Sequence, residues 1–290
     1  MRDSTSPLPE ASAEVVSCLA ESNEVKGILC FGSFATATAD EHSDIDLFVV
    51  CDPQVISPAD RRRILQGLPA VSDLRLDHVS PGFDNQWNPH SARFHLGRDL
   101  FEVVYNTADW LRAVVKAVAK EGKASVPELP FRPYTMLGML DNSIILHDPE
   151  SFLGELIEGL YPYPKKLKAG LIRDSLAVLD EALADLADYH RRRIGNSAFL
   201  FHLNRMNDAL TTLLFAINEK YDPANKRVEH DLGQLRLLPA NFLPRYSKIL
   251  AGPFDEKGRS KVVEEYTRLL AEAKRLANDV PRSRTGPVRL

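Results

Sequence analysis

An acidic pair, Asp44 and Asp46, forms the part of this sequence best suited to chemistry. The pair flanks Ile45, and the β-branched and aromatic run of residues 47–51 that follows predicts a strand. Because side chains alternate across a strand, both aspartates are expected on the same face. Carboxylates crowded together repel unless a cation joins them, and their oxygens suit Mg²⁺. The spacing therefore predicts a divalent-metal site, although an Asp-x-Asp pair alone is also typical of a solvated strand start.

Gly32 and Ser33 lie upstream of the aspartates, directly after the apolar run of residues 27–31, which predicts a buried strand. Gly32 lacks a Cβ, so a phosphate can approach its backbone closely, and Ser33 adds a hydroxyl donor. Residues 34–39 are small enough to form one or two helical turns, whose first N–H groups favour an anion. A phosphate-binding turn beside paired carboxylates is the arrangement that nucleotidyl transfer requires.

The residues from Gly32 to Leu47 resemble the Gly-Ser…Asp-x-Asp signature of the DNA polymerase β nucleotidyltransferase superfamily. The run HSDIDLFVV is especially similar to bacterial nucleotidyltransferases that modify antibiotics and other small molecules. The resemblance implies that Asp44 and Asp46 bind two divalent ions, with Mg²⁺ expected. It also implies that Gly32 and Ser33 bind the triphosphate of a nucleotide co-substrate, with ATP expected.

The resemblance further implies a third carboxylate on a later strand. Glu102, in the run LFEVVYNT, is the best match, although the family more commonly has Asp at that place. Asp77, in RLDHV, is the alternative. We therefore expect Asp44, Asp46 and Glu102 to be both the metal ligands and the catalytic residues.

The predicted elements divide the chain into two parts of different character. Apolar and β-branched runs predict strands at residues 27–31, 44–51, 71–79, 100–105 and 144–146. Helical periodicity predicts helices at residues 10–21, 58–68, 107–120 and 134–140 among them, and at residues 165–193, 197–220 and 260–278 after them. The pattern predicts an α/β nucleotidyltransferase domain with a mixed sheet at residues 1–155, followed by an all-α helical bundle domain at residues 156–290.

The helical half is expected to bind the acceptor, in a cleft between the two domains, which is a common place for small-molecule sites. The run SIILHDP, followed by a helical domain that contains FAINEKYDPANKR, is similar to bacterial proteins that join a nucleotidyltransferase domain to a helical partner. Lys165 and Lys226 are candidate contacts for the triphosphate, with a solvated basic surface as the alternative. Asn204 and Asp208 interrupt an apolar helix and are candidate acceptor contacts, or simply a polar helix face.

Bulk composition restricts the class of partner and the compartment. Lys and Arg number 36 against 40 Asp and Glu, and this acidic balance makes nucleic acid an unlikely main partner without excluding a tRNA. The three cysteines have neither zinc-site nor disulfide spacing, and Cys30 and Cys51 are expected to be buried thiols. With no apolar run long enough for a bilayer and no signal-peptide core, no membrane partner and a cytoplasmic location are expected.

The function expected from these observations is metal-dependent transfer of a nucleoside monophosphate, AMP in the first place, to a hydroxyl or amine of a small molecule. Pyrophosphate leaves, and the resemblance suggests an antibiotic among the acceptors. One alternative is the same chemistry on a protein or tRNA, as in some toxin–antitoxin pairs. The other alternative is a nucleotide-binding regulatory module without catalysis.

Overall fold

The computed structural model describes residues 8–77, 90–123, 133–223 and 227–279. The chain separates into two compact units. The first comprises Met1–Leu167 and Tyr221–Lys226, and the second comprises Lys168–Lys220 and Arg227–Leu290. The assignment of nucleotide chemistry to residues 1–155 and of acceptor binding to residues 156–290 stays a prediction.

The first unit is built on a sheet flanked by helices. Its strands are β1 (Val25–Phe31), β2 (Ile45–Cys51), β3 (Val71–Leu76), β4 (His90–Leu96), β5 (Asp99–Thr107) and β6 (Ile144–His147). Its helices include α1 (Ala11–Ala20), α2 (Gly32–Ala35), α3 (Pro58–Gln66), α4 (Ala108–Val115), α5 (Pro133–Asp141) and α6 (Phe152–Glu158). A π-helical turn, Lys116–Lys120, continues α4.

Within the described residues, these strands form one six-stranded sheet of order β3-β4-β5-β2-β1-β6. The pair β2 and β5 is parallel, whereas the other neighbours are antiparallel, so the predicted mixed sheet is confirmed. The short strand β6 joins the edge of this sheet beside β1. Strand β4 was not predicted, although Ala92, Phe94 and Leu96 are buried and alternate with the exposed Arg93.

The two faces of the central strands have different environments. Alternate residues of β2 and β5 are buried in one core with Val15 and Leu19 of α1 and Leu65 of α3. These strand residues are Ile45, Leu47, Val49, Cys51, Phe101, Val103 and Tyr105. Because side chains alternate, the intervening Asp46 and Glu102 lie on the opposite face. A one-residue shift in the pairing of β2 with β5 would turn Asp46 or Glu102 into the core. The apolar core therefore fixes the strand register that places the two acids on one face.

The second unit is helical throughout its described residues. It contains most of α7 (Lys165–Arg191), together with α8 (Asn196–Ile217), α9 (Val228–Gly233), α10 (Phe242–Ala251) and α11 (Glu256–Asp279). The leucine-rich stripes of α7 and α8 pack into one core, as predicted for a bundle. The short helices α6, α9 and α10 were not predicted from the sequence. No described helix has both the length and the apolar character that a membrane crossing needs.

Candidate active site

The candidate site lies on a row of residues that crosses neighbouring strands. Phe31, the last residue of β1, pairs with Asp46 of β2. Asp46 pairs with Glu102 of β5, and Glu102 pairs with Arg93 of β4. The row lies at the end of β1 and near the starts of β2 and β5. The sheet therefore brings together residues that are 71 positions apart in the sequence, from Phe31 to Glu102.

Asp44, Asp46 and Glu102 form the acidic centre of the site. Each side chain is half-buried, and a carboxylate oxygen from each residue lies within 4.8 Å of the oxygens of the others. Negative charges at this separation repel one another, and a bound cation relieves that repulsion. Three carboxylates offer the hard oxygen ligands that Mg²⁺ and Mn²⁺ prefer, and they leave coordination positions for substrate phosphates. The donor set therefore fits the divalent ions that the sequence implies.

Gly32 makes the position of Asp46 possible. Its φ angle is +71°, and a Cβ placed on it would lie 2.2 Å from the Oδ2 atom of Asp46. Only glycine combines this backbone conformation with the close approach of the carboxylate. The single helical turn α2 begins at this residue, two positions before the predicted residues 34–39. Ser33 follows it, and its carbonyl accepts a hydrogen bond of 2.9 Å from the amide of Thr38.

The loop that leads into Asp44 is held by local hydrogen bonds. The amide of His42 donates to Oδ1 of Asp40 at 3.0 Å, and the amide of Asp40 donates to Oγ of Ser43 at 2.9 Å. Asp and Ser stabilise turns in this way because their short side chains reach nearby backbone groups. The side chain of His42 is 87% exposed, so it belongs to the loop surface.

Asp77, the alternative third carboxylate, lies outside the acidic cluster and binds Arg61 instead. The fully buried guanidinium of Arg61 donates to both carboxylate oxygens of Asp77, at 2.9 and 2.8 Å, and stacks on the ring of Tyr105. Burial raises the pKa of Asp77, but hydrogen bonds from Arg61 and from the amide of Ser91 outweigh it and hold the pKa below its ordinary value. Asp77 is thus the ion-pair partner of the buried Arg61, whereas Glu102 lies beside Asp44 and Asp46.

The charge of Asp46 also affects a buried cysteine in the adjacent core. Cys30 precedes the end of β1 and is fully buried among apolar side chains. Burial is the main cause that raises its pKa to about 12, and the nearby charge of Asp46 contributes in the same direction. Cys51, at the far end of β2, has its pKa raised to about 11 by burial. Both are buried free thiols, as predicted.

The remaining candidates are distributed over both units. Lys165 is exposed at the first position of α7, and Lys226 lies outside the described residues. In α8, Asn204 and Asp208 are exposed. The roles proposed for these residues in triphosphate or acceptor binding stay predictions. Sequence reasoning missed Arg93, whose Nε donates to Oε1 of Glu102 at 2.9 Å.

One comparison with known proteins identifies a family whose match spans part of the candidate site. Residues 13–79 match the family model described as polymerase beta nucleotidyltransferase. A crystal structure of a nucleotidyltransferase-like protein from Exiguobacterium sibiricum 255-15 is 13% identical, with a TM-score of 0.42, over 96% of this chain and 81% of that chain. A comparison with curated proteins finds no match. The family match includes Gly32, Ser33, Asp44 and Asp46, and it ends before Glu102.

Proposed function

We propose that this nucleotidyltransferase, which carries a polymerase β family domain at residues 13–79, transfers a nucleoside monophosphate from an NTP to a small molecule. The nucleotide is ATP, the acceptor group is a hydroxyl or an amine, and pyrophosphate is released. The base and the acceptor class rest on the similarity of HSDIDLFVV to small-molecule nucleotidyltransferases. The three free thiols suit the reducing conditions of the cytoplasm, which we propose as its location.

The observation that carries the proposal is the meeting of Asp44, Asp46 and Glu102, with oxygens within 4.8 Å, beside the glycine turn. In this proposal the carboxylates hold two Mg²⁺ ions. Bound ions supply two effects, a lowered pKa of the attacking group and neutralisation of charge on the departing pyrophosphate. The paired strands β2 and β5 fix Asp46 and Glu102 before substrate arrives, so these two carboxylates need little rearrangement on binding.

The residues around the carboxylates have separate tasks in the proposed reaction. Gly32 leaves space for the carboxylate of Asp46. In this proposal Gly32 and Ser33 bind the triphosphate. The hydroxyl of Ser33 donates a hydrogen bond to the triphosphate. Lys165 and Lys226 add positive charge to triphosphate binding. The α-phosphorus is then held for in-line attack, and alignment of this kind supplies a large part of such a rate.

The experiment that tests the proposal follows the α-phosphate. The full chain is incubated with Mg²⁺, each α-labelled NTP and a panel of hydroxyl- and amine-bearing metabolites and antibiotics, and product mass is measured. The proposal predicts a product in which a nucleotidyl group replaces one acceptor hydrogen, so its mass rises by one nucleoside monophosphate less one water. The product is most abundant with ATP and forms with an equal amount of pyrophosphate. Label on an added tRNA or protein would replace the small-molecule acceptor by a macromolecule.

Two aspartate variants, one on β2 and one just after it, provide the control. Asp46→Asn removes a carboxylate from the cluster, whereas Asp52→Asn removes one just beyond the opposite end of β2, where the side chain is 42% exposed. We expect product formation to be lost in the first variant and retained in the second. NTP binding without turnover for every acceptor class would instead favour a regulatory module.

A further inference from the structure

Arg93 has a special position in the row of residues that crosses the sheet. It lies on β4 directly opposite Glu102 of β5, and its Nε donates to Oε1 of Glu102 at 2.9 Å. The two side chains are 45% and 44% exposed, respectively. Ion pairs this exposed contribute about 0–1 kcal/mol to stability. Fold stability therefore gives little reason for an arginine at this place.

The surroundings of Glu102 give a better reason. One of its carboxylate oxygens lies within 4.8 Å of carboxylate oxygens of Asp44 and Asp46. Without a positive charge nearby, the three carboxylates repel one another. A glutamate side chain has several rotamers, and holding it in one of them costs conformational entropy. The bond from Arg93 neutralises one of the three charges and restrains the rotamer. The hydrogen bond of Arg93 is to Oε1, and both oxygens of a carboxylate carry lone pairs, so Glu102 can also bind a cation.

We propose that Arg93 is a positioning residue, which holds Glu102 in the orientation that completes the divalent-metal site. This inference rests on the proposed function, because it assumes that the three carboxylates bind metal. Arg93 acts through Glu102 and does not itself contact the ion. Hydrogen-bonded partners of metal ligands are known to tune affinity and activity, and their loss costs about 10–100-fold.

The test measures Mn²⁺ affinity of the full chain by electron paramagnetic resonance, so it does not depend on a known acceptor. Arg93→Gln is expected to raise the Kd for Mn²⁺ about tenfold, as expected for lost partners of metal ligands. Arg93→Lys keeps the positive charge but replaces the planar guanidinium group by a flexible ammonium group. We therefore expect its Kd to lie between those of wild type and Arg93→Gln. The matched control is Arg75→Gln, because Arg75 is the exposed cross-strand partner of Arg93 on β3. We expect less than a twofold change there.

A double-mutant cycle separates positioning from a general electrostatic effect. If Arg93 acts through Glu102, Arg93→Gln adds no further loss of Mn²⁺ affinity in the Glu102→Gln background. Full additivity, or an unchanged or lower Kd in Arg93→Gln, overturns the inference. Thermal unfolding of each variant shows whether the fold is retained. If Arg93→Gln is unfolded, the same Mn²⁺ titrations are made with Arg93→Lys instead.

The outcome also distinguishes the inference from the proposed function beneath it. If the wild-type chain binds Mn²⁺ and Asp46→Asn abolishes that binding, the metal site stands whatever happens at Arg93. If Asp46→Asn leaves Mn²⁺ binding unchanged, the metal site proposed under the catalytic reaction fails, and the inference about Arg93 fails with it.

Discussion

Replacement of Gly32 by alanine is the sharpest perturbation that the geometry of the site offers. The added Cβ would lie 2.2 Å from Oδ2 and 3.1 Å from Cγ of Asp46, whereas ordinary contact begins at 3.4 Å. The carboxylate must therefore move by about 1 Å or rotate away, and a misplacement of about 1 Å can cost about 100-fold in rate. We expect Gly32→Ala to lower kcat/KM by about that factor, with a matching loss of metal affinity.

The same substitution also strains the backbone, and this effect needs its own control. At a φ of +71°, alanine is destabilised by roughly 1–2 kcal/mol relative to glycine. Gly97, in the turn between β4 and β5, has a φ of +62° and nothing within 4 Å of its added Cβ. Gly97→Ala therefore carries the backbone strain without the collision with Asp46. Both variants are expected to lose similar amounts of unfolding free energy in denaturant titrations.

The comparison of the two alanine variants decides whether the reasoning is right. Steady-state nucleotidyl transfer and Mn²⁺ titration of each variant give the activity and the metal affinity. The argument requires that only Gly32→Ala loses both. Equal activity in the two variants, or a Gly32→Ala protein that binds Mn²⁺ as the wild type does, would refute the link between this glycine and the carboxylate.

Four further predictions follow from the same geometry. Asp46→Asn should abolish turnover and raise the apo-protein Tm slightly, because it removes one of three repelling charges; an unchanged turnover would sink the catalytic assignment. Glu102→Gln should slow the chemical step more than it weakens NTP binding, as single-turnover kinetics would show, and a spectator role would leave both unaltered. Asp77→Asn should lower the free energy of unfolding by about 3 kcal/mol, because it leaves the buried Arg61 without its carboxylate partner. Mn²⁺ affinity should stay within twofold of wild type, and loss of Mn²⁺ binding would make Asp77 the third ligand instead of Glu102. Because the pKa of Asp77 is lowered in the folded protein, the stability that Asp77 contributes is present above its ordinary pKa of 3.8 and is lost as the pH falls below that value. The free energies of unfolding of wild type and Asp77→Asn should therefore converge in acid titrations below pH 3.8.

The sheet face that carries the acidic cluster could be predicted from the sequence because it depends on local patterns. Alternation predicted Asp44 and Asp46 on one face of a strand. Because Phe101, Val103 and Tyr105 are buried in the core, the same alternation leaves Glu102 on the other face of β5. The helical stripes of α7 and α8 were likewise predicted, since buried leucines recur with the helical period.

What could not be predicted depends on contacts between distant segments. The sequence favoured Glu102 over Asp77, but it gave no sign that Asp77 binds Arg61, which lies 16 residues away. Strand β4 was overlooked, although it has the period-two alternation of a half-exposed strand, and Arg93 was overlooked with it. The contact of Gly32 with Asp46 depends on the pairing of β1 with β2, which single-residue patterns do not specify.

The most direct measurement of the central claim is anomalous X-ray scattering from a crystal of the full chain grown with Mn²⁺ and a non-hydrolysable NTP analogue. The account predicts Mn²⁺ peaks between Asp44, Asp46 and Glu102, with metal–oxygen distances of about 2.0–2.2 Å and the triphosphate completing the coordination. A well-ordered nucleotide whose Mn²⁺ contacts none of these carboxylates would contradict it.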